Sequence, residues 1–363
     1  MAFPTGWSGY AEATIVNPAS ALTDFTYLIS LNSLPSGFWD AVIDGQEIRF
    51  TDGSNNQLPG DLISFTDSGS SGSGLVALKF SPASSGTQKL RIWAGMAGQT
   101  FPVDSDTYGA DNAYDANYKG FWPSGGGSDR TVNANDFTMT GSPTVGGAAG
   151  PINGSTATDY NGSSQYGKAT ASVPTAAPML LIVMGASDNN TSNLYAMTVG
   201  DTGVGTTEFN GLNFGGAASG DPIRAITFNS GSSGVAVSST GFSTGTYCHA
   251  MALFTSTSSR QAGINGTLGS AQTSVLNPSG IDSIGIGASV LNTVTSYFDG
   301  KLSLVSLHNS ARSSAWRDYH KLMLQDADQS DIYGTWVWNA VGGSTVFNPL
   351  TGRGGAAAQP VAA

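Results

Sequence analysis

The chain has 363 residues, with 49 glycines, one cysteine and a formal net charge of −11 at pH 7. Hydrophobic residues make up 39% of it and charged residues 11%, which excludes an intrinsically disordered chain, and the lack of a Gly-X-Y period excludes collagen. A nucleic-acid partner is not expected because only 14 Lys and Arg residues are scattered along an acidic chain, and the single cysteine excludes an internal disulfide.

Residues 1–112 predict a small all-β domain, arranged as a β-sandwich. Short runs of strand-forming residues alternate with loops rich in Gly, Asn, Asp and Ser. In the last run, Leu90, Ile92 and Ala94 occupy every second position, so one face of that strand is expected to be buried. The six strands are expected at 10–16, 25–31, 47–51, 62–66, 75–80 and 88–95.

Residues 113–149 are expected to form a connector and a first strand, and the stretch leading into them carries several aspartates. Asp104, Asp106 and Asp115 fall at positions 1, 3 and 12 of a loop that resembles an EF-hand calcium loop. Tyr108 at position 5 and the absence of a final Glu depart from that pattern. The sequence therefore favours a polar linker, with a calcium site at these three aspartates as the alternative.

Residues 150–349 predict a larger sandwich of the jelly-roll type, closed by one short helix, and residues 350–363 predict a flexible tail. Strand candidates lie at 156–171, 177–187, 195–200, 208–214, 223–229, 234–239, 246–255, 260–266, 283–288 and 301–309. The helix is expected to begin after Ser313 or Ser314. One helical face then carries four large side chains: Trp316, Tyr319, His320 and Met323.

The motifs of this second region resemble a concanavalin A-like (laminin G-like) jelly roll. RQAGINGTLG (260–269) resembles a hairpin of that superfamily, and SIGIGA (283–288) resembles the strand that follows it. YFDGKLSLVSLHNSARS (297–313) resembles the strand before the closing helix, and TDYNGSSQYGKA (158–169) an earlier strand. The resemblance covers about residues 150 to 325 and implies a sandwich from a superfamily that contains both lectins and glucanases.

The first region has a likeness of its own. LTDFTYLISL (22–31), DGQEIRFTDGSNNQL (44–58) and KLRIWAGM (89–96) resemble a small all-β domain of unassigned function. That domain precedes such jelly rolls in phage virion proteins and in bacterial surface proteins, so here it is expected to serve for attachment. The joining segment AYDANYKGFWPS (113–124) also resembles that arrangement, but Pro123 stands where the family usually has His.

Catalysis is not expected, and no catalytic residue is assigned. The glucanases of the superfamily carry a motif resembling E-x-D-x-x-E, which places two carboxylates on one strand. This chain has three glutamates, Glu12, Glu47 and Glu208, and none of them lies in such a motif. The histidines also lie outside any known catalytic or metal-binding motif.

Glycan binding is the function that the resemblance implies. Non-catalytic jelly rolls of this superfamily recognise sugars with aromatic side chains and with loops rich in Asn, Asp and Gly. Loops of that composition lie at 187–195, 201–211 and 214–222, and any all-β surface also carries such loops. The residues expected to contact a glycan are Asn190, Asn193, Tyr195, Asn210 and Asp221.

No signal peptide or membrane-spanning segment is apparent, since the longest apolar run, 177–186, is about half a membrane span. We therefore expect a virion protein assembled in the host cytoplasm: a head decoration, spike or tail-fibre component. Its expected partners are other virion proteins, copies of itself in an oligomer such as a trimer, and a host surface polysaccharide. The alternative is a secreted or cell-surface lectin-like adhesin.

Overall fold

The structure is a computed structural model that describes residues 5–203 and 207–341. The tail predicted at 350–363 lies outside the described residues. The fold is all-β, as predicted, with a small N-terminal sandwich, a larger second sandwich and a short C-terminal helix. Within the described residues, no helix is long and apolar enough to cross a lipid bilayer.

All six strands predicted in the first region are present. A one-turn helix, α1 (Ser36–Ala41), and a two-residue strand were not predicted, because both are too short to show a period. Phe38 and Trp39 of α1 are buried between the sheets. The strands are β1 (Gly9–Ile15), β2 (Phe25–Ser30), β3 (Arg49–Asp52), β4 (Gln57–Leu58), β5 (Gly60–Asp67), β6 (Gly72–Phe80) and β7 (Gln88–Ala94).

The second region forms two large antiparallel sheets. Its strands are β8 (Tyr118–Trp122), β9 (Thr138–Thr140), β10 (Ala148–Ala149), β11 (Thr156–Asn161), β12 (Tyr166–Ala169), β13 (Met179–Ser187), β14 (Asn193–Gly200), β15 (Phe209–Gly215), β16 (Pro222–Asn229), β17 (Ser232–Gly241), β18 (Cys248–Ser256), β19 (Ser259–Ile264), β20 (Thr267–Leu268), β21 (Ser283–Ile286) and β22 (Asp299–His308). The eight-stranded sheet has the order β10-β11-β22-β13-β18-β19-β20, with β8 paired to β22. The seven-stranded sheet has the order β17-β16-β15-β14-β21-β12-β9.

The burial of strand β13 shows that the eight-stranded sheet lies in the middle of the molecule, with other elements on both of its faces. All nine residues of β13 are buried, so the sheet is covered on both faces. Leu181 and Val183 face the seven-stranded sheet, whereas Leu180 and Ile182 face the helix α2 (Ser314–Gln325) and the N-terminal sandwich. A continuous apolar run, rather than an alternating one, is the sequence signal of this double burial.

The helix α2 begins where the sequence predicts. The side chain of Ser313 accepts a hydrogen bond from the backbone N–H of Trp316 at 3.1 Å, which caps the helix. The expected face is buried, and it packs between β18 and β2 rather than on a sheet edge. The helix therefore joins the two sandwiches through one shared core.

The described end of the chain, residues 331–341, lies with the first sandwich. The expected jelly roll extends to residue 349, which lies outside the described residues, but the last described strand, β23 (Val337–Ala340), pairs with β1. It is the edge of the first five-stranded sheet, whose order is β23-β1-β7-β3-β4, while β2, β6 and β5 form the facing three-stranded sheet. The sequence shows that this stretch can form a strand, but a partner more than 300 residues away leaves no local pattern.

Candidate binding surface on the seven-stranded sheet

The seven-stranded sheet has an outer face, defined here as the face turned away from the eight-stranded sheet. The eight-stranded sheet is covered by the seven-stranded sheet on one side and by α2 and the N-terminal sandwich on the other. On the outer face of the seven-stranded sheet, apolar side chains form a separate, smaller cluster from its own strands and one loop. A ligand that binds a sheet face of this sandwich therefore meets the outer face.

Three residues from neighbouring strands form a row across the outer face. Tyr195 of β14 lies opposite Asn213 of β15, and Asn213 lies opposite Arg224 of β16. Directly opposed residues of antiparallel strands have Cβ atoms about 4.5–5.5 Å apart, so the three side chains are neighbours. Arg224 is partly exposed, whereas Tyr195 is 9% exposed and Asn213 is fully buried. We call these three residues the central row.

Two glycines of β15 make room for the outer members of the central row. A Cβ atom at Gly211 would lie 2.9 Å from Cε1 of Tyr195, so the phenol ring lies over this glycine. A Cβ atom at Gly215 would lie 2.5 Å from Cδ of Arg224, so the arginine side chain lies over Gly215. The two glycines therefore let an aromatic ring and a guanidinium lie on either side of Asn213.

Asn213 is the unusual member of the central row. Its side chain is fully buried, and neither its amide nitrogen nor its carbonyl oxygen has a hydrogen-bond partner among the described residues. A buried polar group without a partner destabilises a fold by about 1–3 kcal/mol, so few of them persist. Because the amide is buried, a polar ligand or water reaches it only when a neighbouring side chain of the central row moves aside.

One end of the outer face is aromatic. The rings of Phe209 and Phe228 are stacked with centroids 5.1 Å apart, and Tyr195 meets Phe209 edge-on at 5.5 Å. Ile226 belongs to the same cluster. Phe209 and Ile226 are buried and Phe228 is partly exposed, so this end of the outer face is a packed apolar cluster beside the central row.

A loop at residues 287–297 bounds this surface on one side. The backbone N–H of Val290 donates to the hydroxyl of Thr198 at 3.3 Å, and Val290 packs against Gly285. The next residue, Leu291, packs against Gly200 and the aromatic cluster. Because this loop covers β21 and the half of β14 that contains Thr198 and Gly200, the remaining part of the outer face lies over β15 to β17 and the Tyr195 end of β14.

Three of the residues predicted to bind glycan lie near one end of this remaining part. Asn193 begins β14 opposite Gly215, and Asp221 immediately precedes β16. A Cβ atom at Gly216 would lie 2.7 Å from Cα of Asn190, so the two loops touch. The side chains of Asn190 and Asn193 are exposed at this rim, and that of Asp221 is partly exposed.

The other two predicted residues lie on opposite faces of the sheet. Tyr195 is in the central row, but Asn210 is turned into the sandwich, where its carbonyl accepts a hydrogen bond from the hydroxyl of Thr227 at 2.8 Å. Asn210 therefore does not share a surface with Tyr195. Sequence reasoning missed Asn213 and Arg224, because their place beside Tyr195 depends on the register of β14 to β16 and on a bulge after Tyr195.

The electrostatic state of Tyr195 suits a hydrogen-bonding role. Burial raises the pKa of its phenol to about 12, and the positive charge of Arg224 acts in the opposite direction. The hydroxyl is therefore neutral at physiological pH and can both donate and accept a hydrogen bond.

Asp104, Asp106 and Asp115, the alternative calcium site, are not assembled as a ligand set among the described residues. Both carboxylate oxygens of Asp115 bind the guanidinium of Arg312, at 2.6 and 2.7 Å, so this side chain is used in an ion pair. Asp104 is exposed, and the side chain of Asp106 accepts from the backbone N–H of Tyr108 at 2.9 Å. Across residues 5–203 and 207–341, no group of three or more His, Cys, Asp or Glu side chains converges to hold a metal.

The sequence matches no known family model and no curated protein. Among solved structures, the chain is similar to the receptor binding domain of botulinum neurotoxin C/D mosaic serotype, with 10% identity and a TM-score of 0.41. That match covers 53% of this chain and 48% of the neurotoxin chain, so the chain spans about half of its length.

Two further similar structures are smaller domains. Domain 4 of AbnA, a GH43 extracellular arabinanase from Geobacillus stearothermophilus in complex with arabinotriose, is 15% identical with a TM-score of 0.45, covering 56% of this chain and 97% of that one. The CBM40 of the Ruminococcus gnavus IT-sialidase, bound to alpha2,3 sialyllactose, is 10% identical with a TM-score of 0.33, covering 38% and 79%. At these levels of identity and superposition, the likeness does not bear on what this chain binds.

Proposed function

We propose that the chain is a non-catalytic carbohydrate-binding protein and that a saccharide binds on the outer face of the seven-stranded sheet. The observation that carries this proposal is the central row, in which an unpaired amide lies between an aromatic ring and a guanidinium. A sugar has apolar C–H faces and a rim of hydroxyls. The aromatic end of the outer face suits the former, and the amide and guanidinium suit the latter.

The hydrogen bonds of the three glutamates support the non-catalytic part of the proposal. Glu12 pairs with Lys89 and Arg91 on the N-terminal sheet, and Glu47 accepts a hydrogen bond from the backbone N–H of Ile43 at 2.7 Å. Glu208 accepts hydrogen bonds from the backbone N–H groups of Ser230 and Ser279, which lie on two different loops. Each of the three glutamates thus holds local structure.

The proposal extends to a phage or phage-like particle. In this view the first sandwich attaches the protein to other virion proteins, copies of the chain assemble as an oligomer, and the second sandwich displays its outer face to host surface polysaccharide. The resemblance of residues 22–96 to a domain found in virion proteins supports this setting. A lectin-like adhesin on a bacterial surface is the alternative that the same resemblance allows.

A polysaccharide array tests the carbohydrate-binding proposal. We expect the purified chain to bind a subset of bacterial surface polysaccharides, and chelator to leave that binding unchanged. Tyr195→Ala should weaken it about tenfold, because an aromatic contact and its buried area are lost. Tyr166→Ala is the matched control, since Tyr166 lies on the same sheet in β12, beyond the loop at 287–297. Absence of binding by the folded protein would overturn the proposal.

A further inference from the structure

The strands of the seven-stranded sheet carry a positive net charge, whereas the net charge of the whole chain is negative. The chain has 25 Asp and Glu residues against 14 Lys and Arg residues. In contrast, the seven strands of this sheet contain no Asp or Glu, and their only charged residues are Lys168 and Arg224. The strands of this sheet are therefore free of carboxylates, although Glu208 and Asp221 immediately precede β15 and β16.

Arg224 is the cation that lies in the part of the outer face that the loop at 287–297 leaves uncovered. Lys168 lies beyond the loop at 287–297, where its ammonium donates to the hydroxyl of Thr202 at 3.2 Å. Arg224, in contrast, forms no hydrogen bond or ion pair with another described residue, although it is only partly exposed. Most other arginines of this chain have such partners, as Arg312 does with Asp115.

The neighbour of Arg224 is the unpaired amide of Asn213. A guanidinium presents parallel N–H donors that match the two oxygens of a carboxylate, and charge-assisted pairs of this kind are stronger than neutral hydrogen bonds. The amide nitrogen of Asn213 is buried and can donate to the same anion only when a neighbouring side chain moves aside. An unpaired cation, an unpaired amide and an absence of carboxylates on the described strands are complementary to an acidic ligand.

We propose that the saccharide bound on the outer face carries a carboxylate, as a uronic acid or a similar sugar acid does, and that Arg224 binds this carboxylate. The inference rests on the proposed carbohydrate-binding function and adds the class of ligand. Asp221, at the rim, is placed to accept hydrogen bonds from sugar hydroxyls and not to bind the acid group.

The test compares acidic polysaccharides with the same polymers after their carboxyl groups have been chemically reduced to alcohols. Polymers that the folded chain binds on the array are titrated before and after reduction, in low salt and in 0.5 M salt. We expect reduction to weaken binding on the order of 10- to 100-fold, the range for one charge-assisted contact. We also expect added salt to weaken binding of the acidic form more than that of the reduced form.

Arg224→Gln should abolish the difference between the acidic and reduced polymers, while Arg224→Lys should retain part of it. Lys168→Gln removes a positive charge from the same sheet, and Asp221→Asn removes a negative one from the rim, so both should keep the preference for acid. Equal affinity for both polymers, or an unchanged preference in folded Arg224→Gln, overturns this inference and leaves carbohydrate binding intact. Failure to bind any polymer overturns both.

Discussion

The Nε2 atom of His249, in the eight-stranded sheet, lies 3.2 Å from the Nδ1 atom of His320 on α2. Trp316 stacks on His320 with ring centroids 4.6 Å apart, and it meets His308 edge-on at 5.2 Å. These three histidines are all of those in the chain, and each is buried. The shared core under α2 therefore contains every group of the protein whose ordinary pKa lies near 6.5.

Acid should unfold the protein through this cluster. Burial, and then the charge of Lys321, lowers the pKa of His249 to about 3, and burial also holds the pKa values of His308 and His320 well below their usual range. Because the unfolded chain takes up protons below pH 6.5 and the folded chain does not, this stability is present above pH 6.5 and is lost as the pH falls. Each histidine contributes a slope of about 1.4 kcal/mol per pH unit.

Urea unfolding at pH 7.5, 6.5 and 5.5 measures this slope above the range where carboxylates dominate. His249→Gln removes one titrating group, so its loss of stability between pH 7.5 and pH 5.5 should be smaller than that of the parent by about 1.4 kcal/mol. A free energy of unfolding that is the same at all three pH values would show that the histidines are not neutral in the folded protein.

Asp115 should contribute to the free energy of unfolding and should not bind calcium. Its ion pair with Arg312 is buried, and the guanidinium lies between the rings of Tyr118 and Trp316. Asp115→Ala leaves that charge buried without its partner, so we expect a loss of about 3–5 kcal/mol in the free energy of unfolding. Asp104→Ala, at an exposed site, should change it by less than about 0.5 kcal/mol. A melting temperature that rises with calcium would contradict this interpretation.

Gln329 should be essential to the first sandwich although it lies near the other end of the chain. Its side chain accepts from the backbone N–H of Ser30 and donates to the backbone oxygen of Leu28, both at 2.8 Å, along the free edge of β2. Gln329→Leu leaves the backbone N–H of Ser30 without a partner, while the oxygen of Leu28 keeps the hydroxyl of Tyr333 at 2.9 Å, so we expect a loss of about 1–3 kcal/mol, measured by urea unfolding. If the variant is as stable as the parent, the last residues do not hold the first sandwich together.

Asn213 and Asn210 should respond in opposite ways to the same substitution. Asn213→Leu removes an unpaired buried amide, so we expect stability to stay the same or rise by about 1–2 kcal/mol while polysaccharide binding falls. Asn210→Leu breaks the hydrogen bond with Thr227 and should lower stability by about 1 kcal/mol without changing binding directly. Thermal melts and titrations of both variants distinguish a binding residue from a structural one. Unimpaired binding by Asn213→Leu would remove Asn213 from the site.

The contrast between these two asparagines shows what the sequence can and cannot predict. Strands and α2 follow from local periodicity, so they were predicted well. In FNGLNFG, asparagines occur at both odd and even positions of β15, and only the pairing with β14 and β16 decides which one faces outward. The same limit applies to β23, whose partner is β1, and to Asp115, whose partner Arg312 is 197 residues away.

Hydrogen–deuterium exchange with a bound polysaccharide is the most direct measurement of where the ligand lies. Binding on the outer face predicts added protection in peptides that cover β14 to β16, with little change in β1 to β7 and α2. Protection confined to the first sandwich, or to loops of the second sandwich remote from the central row, would contradict a binding site formed by Tyr195, Asn213 and Arg224.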